Sequence, residues 1–81
     1  MKEVRERILN DIDSERERQD LIHPQKLPLP MRFITIMEEA GEVAQAMQED
    51  DFDGVYRELI ETAASCVRMA EQVLQVKDND V

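Results

Sequence analysis

The chain has no tryptophan, one tyrosine, two phenylalanines, two glycines and one cysteine among its 81 residues. So few aromatic residues and glycines disfavour an all-β domain, whose strands and turns need both. The single Cys66 cannot form an internal disulfide, which favours a reducing, cytoplasmic setting. No apolar run approaches the roughly 20 residues that cross a bilayer, and residues 1–7 lack the apolar stretch of a signal peptide. We therefore expect no membrane partner.

Acidic residues outnumber basic residues in the chain. The chain carries 19 acidic against 10 basic side chains, for a net charge of −9. This excess argues against binding nucleic acid through its phosphates and suits a protein that collects divalent cations. A chain this short buries only about 60% of its unfolded surface, so we expect self-association to complete its core.

The order of apolar and breaking residues predicts one all-α domain over residues 1–81. Two segments have apolar residues at helical spacing, and an acidic turn around Gly54 separates them. A third segment with a weaker helical pattern precedes three closely spaced prolines. Asp53 is the expected N-cap of the third helix, and Cys66 is expected to be a buried small apolar residue. The predicted segments are an N-terminal helix at 1–20, a proline-rich connection at 21–30, a second helix at 31–48 and a third helix at 53–77.

The N-terminal helix changes character halfway. Val4, Ile8 and Ile12 follow a spacing of four, which puts them on one stripe. The next seven residues contain no apolar side chain. This half of the helix is either solvated or faces something polar.

Two pairs of glutamates repeat the same spacing. Glu39 and Glu42 lie three residues apart on the second helix, and Glu58 and Glu61 do so on the third. Residues at this spacing are neighbours on a helix surface, and an antiparallel hairpin would bring the two pairs together. Converging carboxylates predict a hard divalent cation, Mg²⁺ or Mn²⁺. The alternative is a solvated polar face, because Glu58 and Glu61 lie opposite the apolar face of the third helix.

The segment Glu38-Glu39-Ala40-Gly41-Glu42-Val43-Ala44-Gln45-Ala46 resembles the signature of MazG-like proteins, a family of all-α nucleoside triphosphate pyrophosphohydrolases. Their pattern is E-x-x-E followed, after 12 to 28 residues, by E-x-x-D. Here fifteen residues separate Glu42 from Glu58. Residues 15–20 and the dipeptide His23-Pro24 are similar to the leader of a small phage-type and bacterial branch of the family.

The resemblance implies a MazG-like helical bundle, a reaction and a site. A nucleoside triphosphate would be cut between its α and β phosphates, as in clearing non-standard or excess nucleotides. Mg²⁺, or Mn²⁺, would be held by Glu39, Glu42, Glu58 and Glu61. Glu38 would either support the metal ligands from behind or act as a general base that orients the attacking water. Residues expected to bind the substrate are Arg16, Gln19, Arg57, Arg68 and Lys77.

Glu61 departs from the family pattern, which has Asp at this position. Its side chain is one methylene longer, and Mg²⁺ tolerates little error in its octahedron. Two further hypotheses therefore stand beside the enzyme. One is a non-catalytic relative that binds a metal, a nucleotide or a protein partner, and the other is a scaffold that only mediates assembly.

The third helix carries apolar residues far around its circumference, among them Ile60, Ala64 and Met69. Such coverage indicates burial on more than one side. We expect a homo-oligomer, a dimer or a tetramer, that completes the bundle.

Overall fold

A computed structural model describes residues 1–79, and residues 80 and 81 of the predicted domain lie outside the described part. The described chain consists of three helices, α1 (Lys2–Ile22), α2 (Leu29–Gln48) and α3 (Phe52–Asn79). The predicted all-α fold is confirmed. α1 ends later than predicted and α2 begins earlier, so the connection between them shortens to residues 23–28. Pro30 is accommodated in the first turn of α2, where a missing N–H costs nothing.

The turn between α2 and α3 is built by consecutive acidic residues and the cap that one of them provides. Asp50 has a positive φ of 55°, a conformation that Asp tolerates better than most side chains. Asp51 accepts a hydrogen bond at its Oδ1 from the backbone N–H of Gly54, 2.9 Å away, which caps α3. The prediction of Asp53 as the cap was wrong, because α3 begins at Phe52 and Asp53 lies within its first turn.

α3 is the centre of the fold. Both α1 and α2 pack against α3, and within residues 1–79 they do not pack against each other. The short turn makes α2 antiparallel to α3. Side-chain contacts from Asp11 to Tyr56 and from Gln19 to Ser65 advance together along both helices, so α1 runs in the same direction as α3. A cleft therefore opens between α1 and α2, with α3 as its floor.

The polar half of α1 faces this cleft and α3. Gln19 is buried, and the side chains of Glu15 and Arg16 are only 14% and 15% exposed. Of the two alternatives for this half-helix, the structure shows the helix that faces something polar.

The apolar core is small. Among the described residues, the buried apolar side chains are Ala46, Ile60 and Ala64. Many large apolar side chains are exposed, and so is Cys66, which corrects the expectation that it is buried. The chain exposes 6252 Å², whereas a compact monomer of its mass exposes about 5000 Å². The fold of one chain thus leaves an unusually large apolar surface in water.

Much of this surface forms two stripes whose spacing alternates between four and three residues, as in a heptad repeat. At 100° per residue, the stripe on α2 lies opposite Thr35 and the stripe on α3 lies opposite Glu61, and both of these residues line the cleft. Both stripes therefore point away from the cleft. The α2 stripe comprises Phe33, Met37, Ala40, Ala44 and Met47, and the α3 stripe comprises Phe52, Leu59, Ala63, Cys66 and Ala70. Tyr56 shares the α3 spacing, but its hydroxyl donates to Asp11 of α1.

None of the helices within residues 1–79 combines the length and the hydropathy that crossing a bilayer requires.

Candidate metal centre and adjoining cleft

Three of the four glutamates predicted to bind a metal come together. One carboxylate oxygen each from Glu42, Glu58 and Glu61 lies within 4.8 Å of the other two. Glu42 projects from α2 and the other two from α3, so the cluster forms only because the hairpin is antiparallel. Oxygen atoms at this separation can converge on one hard cation.

The cluster is partly withdrawn from solvent, because Glu42 is exposed whereas Glu58 and Glu61 are half-buried. The Glu58 side chain is 17% exposed, and its Oε2 is buried without a hydrogen-bond partner among the described residues. A hydrogen bond with Glu58, and then the negative charge of Glu58, raises the pKa of Glu42. Glu58 faces α2 rather than water, so the alternative of a solvated polar face does not hold for this residue.

Glu39 lies beside the cluster, at the edge of the cleft. Its Oε1 is buried and has no hydrogen-bond partner within residues 1–79. Burial raises the pKa of Glu39, the nearby Ser65 hydroxyl partly offsets this, and the charges of Glu42, Glu58 and Glu15 raise the pKa further. The carboxylates around Glu39 thus include Glu15, which lies in the half of α1 that the sequence predicted to be either solvated or facing something polar.

The cleft encloses about 480 Å³ and has three levels. Its acidic end is lined by Glu15, Glu39 and Glu61, and Arg18 stands beside Glu15 at 3.0 Å. The three levels succeed one another along the helices. From one level to the next, the lining residue of each helix lies about one or two helical turns farther along the cleft. The cleft is therefore polarised along its length.

The middle level offers neutral hydrogen-bonding groups. Gln19 is 6% exposed and donates from Nε2 to Ser65 Oγ at 3.1 Å and to the Glu61 carbonyl at 3.5 Å. A carbonyl oxygen only accepts, so this contact fixes the orientation of the Gln19 amide. The Gln19 Oε1 is then left buried without a partner among the described residues, as an acceptor for a donor that the chain does not supply.

The far end of the cleft is basic. Arg32 is 8% exposed and donates from Nη2 to the Gln25 carbonyl at 3.0 Å and from Nε to Gln72 Oε1 at 3.3 Å. Arg68 donates from Nη2 to the His23 carbonyl at 2.6 Å. These bonds tie the connection between α1 and α2 to α3. Sequence reasoning missed Arg32, although it is the single charge in the apolar run from Leu29 to Met37.

The other predicted residues are distributed differently. Glu38 is exposed and lines neither the cleft nor the cluster. Arg16 is held away from the cleft by Asp20 at 2.6 Å and Glu71 at 2.7 Å. Arg57 lines a shallower groove of about 340 Å³ between α1 and α3.

Lys77 is also distant from the site. It is exposed in the last turn of α3, sixteen residues beyond Glu61, which is about 24 Å along a helix. Of the five predicted substrate-binding residues, the structure brings Gln19 and Arg68 to the cleft.

The arrangement joins a carboxylate cluster that suits a cation to a cavity with a basic far end. Comparison with known proteins finds no matching family model, no matching curated protein and no matching solved structure.

Proposed function

We propose that the chain is a Mg²⁺-dependent nucleoside triphosphate pyrophosphohydrolase, with Mn²⁺ as an alternative ion. The observation that carries the proposal is that the Glu42, Glu58 and Glu61 cluster adjoins, through Glu61, a cleft of about 480 Å³. Ligand-binding cavities typically measure about 300–1,000 Å³. Cleavage between the α and β phosphates follows from the resemblance to MazG-like enzymes.

The residues fit a hard cation. The cluster offers only carboxylate oxygens, the ligands that Mg²⁺ prefers. Two of the carboxylate oxygens in this region, Glu39 Oε1 and Glu58 Oε2, are buried and unpaired among the described residues, which is costly unless something binds them. Glu42, Glu58 and Glu61 would hold the ion. A bound ion of this kind neutralises phosphate oxygens and lowers the pKa of a coordinated water.

The chain's own groups have distinct tasks in this proposal. Glu39, which borders the cleft, would accept the proton of the attacking water, whereas the exposed Glu38 lines neither the cleft nor the cluster. Gln19 Oε1 accepts a hydrogen bond from a nucleobase N–H, and Ser65 fixes the Gln19 amide for that contact. α1 shields the cleft from one side, so bulk water is partly excluded from the reacting phosphates.

We also propose that the protein works in the cytoplasm to clear nucleotides. We further propose that two copies of the chain associate through the α2 and α3 stripes. The stripes contain no charged residue, which matters for a chain of net charge −9. The exposed area exceeds that of a compact monomer by about 1,200 Å², more than the roughly 800 Å² per partner of a standard stable interface. Pairing the stripes gives a four-helix bundle.

Pyrophosphate release from ribo- and deoxyribonucleoside triphosphates tests the function. Wild type, Glu42→Gln and the matched control Glu38→Gln are compared with Mg²⁺, with Mn²⁺ and with EDTA. We expect metal-dependent release by wild type and Glu38→Gln, and its loss in Glu42→Gln. Mg²⁺-induced stabilisation without turnover of any nucleotide would instead identify a non-catalytic metal-binding relative. If Mg²⁺ neither stabilises the protein nor supports turnover, the remaining hypothesis is a scaffold that only mediates assembly.

A further inference from the structure

We propose that Arg32 and Arg68 form a subsite for a phosphate-type oxyanion at the basic end of the cleft, and that this subsite binds without a metal. The ligand is either a free phosphate or a phosphate group of a larger molecule. The inference does not rest on the proposed hydrolase activity, because it uses neither the carboxylate cluster nor an ion.

In the described part of the chain, the charges of Arg32 and Arg68 are unpaired. Arg7, Arg16 and Arg18 each have a carboxylate oxygen within 4.0 Å. Neither Arg32 nor Arg68 has one within residues 1–79, although the chain has 19 acidic residues to offer. Arg32 is also buried, and a buried guanidinium without a counter-charge is strongly disfavoured. A ligand of opposite charge would remove this cost.

The two arginines repel each other, because both guanidinium groups donate to the Gln25 carbonyl. Burial, and then the positive charges of Arg68 and Arg16, lowers the pKa of Arg32. Asp20 favours the charged form of Arg32, but its carboxylate is bound by Arg16 at 2.6 Å. Two positive charges therefore lie close together, while the carboxylate of Asp20 is paired with Arg16 instead. A bound anion would stabilise this arrangement.

Both guanidinium groups are held in place by hydrogen bonds and still have N–H donors without a partner among the described residues. Arg32 is held by Gln72 and the Gln25 carbonyl, and Arg68 by the His23 and Gln25 carbonyls. Among the described residues, Nη1 of Arg32 and both Nε and Nη1 of Arg68 make no hydrogen bond. Guanidinium groups match the oxygen geometry of phosphate, and two of them balance a dianion better than a carboxylate's single charge.

The subsite is separate from the carboxylate cluster. Arg68 follows Glu61 by seven residues on α3, which is about 10 Å along the helix. Arg32 precedes Glu39 by the same seven residues on the antiparallel α2. The two ends can therefore be perturbed independently.

Thermal unfolding with inorganic phosphate in EDTA tests the proposal, with sodium chloride of equal ionic strength and sodium acetate as parallel arms. The variants are Arg68→Gln and Arg5→Gln, an exposed arginine on α1 that makes the same charge change outside the cleft. At about five times its Kd, phosphate should raise the Tm of wild type and Arg5→Gln by about 4–8 °C. Arg68→Gln should show no rise beyond the chloride arm.

An equal rise with chloride, or a full rise in Arg68→Gln, would overturn the subsite. A larger rise with acetate than with phosphate would overturn its assignment to phosphate. Should Arg68→Gln fail to fold, the Arg68 Nε–H resonance of the wild type decides. It should move on phosphate addition while that of Arg5 does not, and an unmoved Arg68 resonance would contradict the proposal.

Discussion

The carboxyl groups of Glu42 and Glu58 face each other across the α2–α3 hairpin, with one oxygen of each within 4.8 Å of the other, and Glu58 raises the pKa of Glu42 by a hydrogen bond and by its negative charge. Opposed carboxylates cannot both ionise without repulsion. The metal-free protein must therefore either keep a proton in this cluster or lose stability, and a divalent cation relieves the same repulsion. The pH and metal responses of the protein both follow from this relationship.

The stability of the metal-free protein should depend on pH through Glu39. Its pKa is raised in the folded state, so the unfolded chain releases the proton first as pH rises. The folded state therefore loses stability as pH rises from below the ordinary glutamate pKa of about 4.3 to the raised pKa of Glu39. The loss of stability persists at neutral pH. In urea unfolding with EDTA, Glu39→Gln should match wild type near pH 4 and exceed its stability at pH 7.

Glu38→Gln is the control for this pH effect, because it removes the same charge from an exposed position on α2. The difference in unfolding free energy between Glu38→Gln and wild type should not grow from about pH 4 to pH 7. A Glu39→Gln variant whose stability relative to wild type is the same at both would contradict the account of Glu39.

Mg²⁺ should stabilise wild type through the cluster. At one hundred times its Kd, a ligand that binds only the folded state adds about 2.7 kcal/mol to the free energy of unfolding. Glu42→Gln should lose this gain while remaining folded in EDTA, because it removes repulsion as well as a ligand. Unfolding followed by circular dichroism with and without Mg²⁺ makes the comparison. An undiminished gain in Glu42→Gln would place any Mg²⁺ site elsewhere.

The two glycines should respond oppositely to alanine. A Cβ at Gly54 would collide with the carboxylate of Asp51, which caps α3, and loss of such a cap costs about 1 kcal/mol. A Cβ at Gly41 meets nothing within 4 Å, and alanine is favoured over glycine inside a helix by about 0.8–1.0 kcal/mol. Chemical denaturation should show Gly54→Ala destabilised and Gly41→Ala stabilised.

The glycine pair also tests the turn itself. If Gly54→Ala were as stable as wild type, the Asp51 cap would not be the contact that starts α3. The closely matched chemistry of the two substitutions removes general effects of alanine from the comparison.

Self-association should depend on the α2 stripe. Met37 is 56% exposed in one chain, so Met37→Glu leaves that chain's fold intact and places a charge in the proposed interface. Light scattering after size-exclusion chromatography should show a smaller assembly. Leu21→Glu, at an exposed apolar residue outside the stripes, should assemble like wild type. An unchanged mass for Met37→Glu, or a monomeric wild type, would rule out this interface.

The sequence predicted the helices well because their signals are local. The 3.6-residue periodicity and the prolines determine where helices form, and the spacing of three within each glutamate pair places its members on one face. With an antiparallel hairpin assumed, this spacing grouped Glu39, Glu42, Glu58 and Glu61, and the structure brings the last three together. The Asp51 cap was missed because three neighbouring aspartates offer the same chemistry, and only the start of α3 selects between them.

The cleft could not be predicted because it depends on how α1 packs. Nothing local to Gln19 or Arg32 says that one amide oxygen and one guanidinium will be buried beside α3. Their burial depends on α1 running in the same direction as α3 and on the connection at 23–28 being tied down by Arg68. Cys66 was misplaced for a related reason, because an apolar helix face can be covered by another chain instead of by its own.

The most direct test of the central claim is phosphorus NMR of the products formed from Mg²⁺-nucleoside triphosphates by wild type and by Glu42→Gln. The account predicts a nucleoside monophosphate and pyrophosphate in equal amounts from wild type, and neither from Glu42→Gln. A nucleoside diphosphate with inorganic phosphate, or equal turnover by the two proteins, would contradict it.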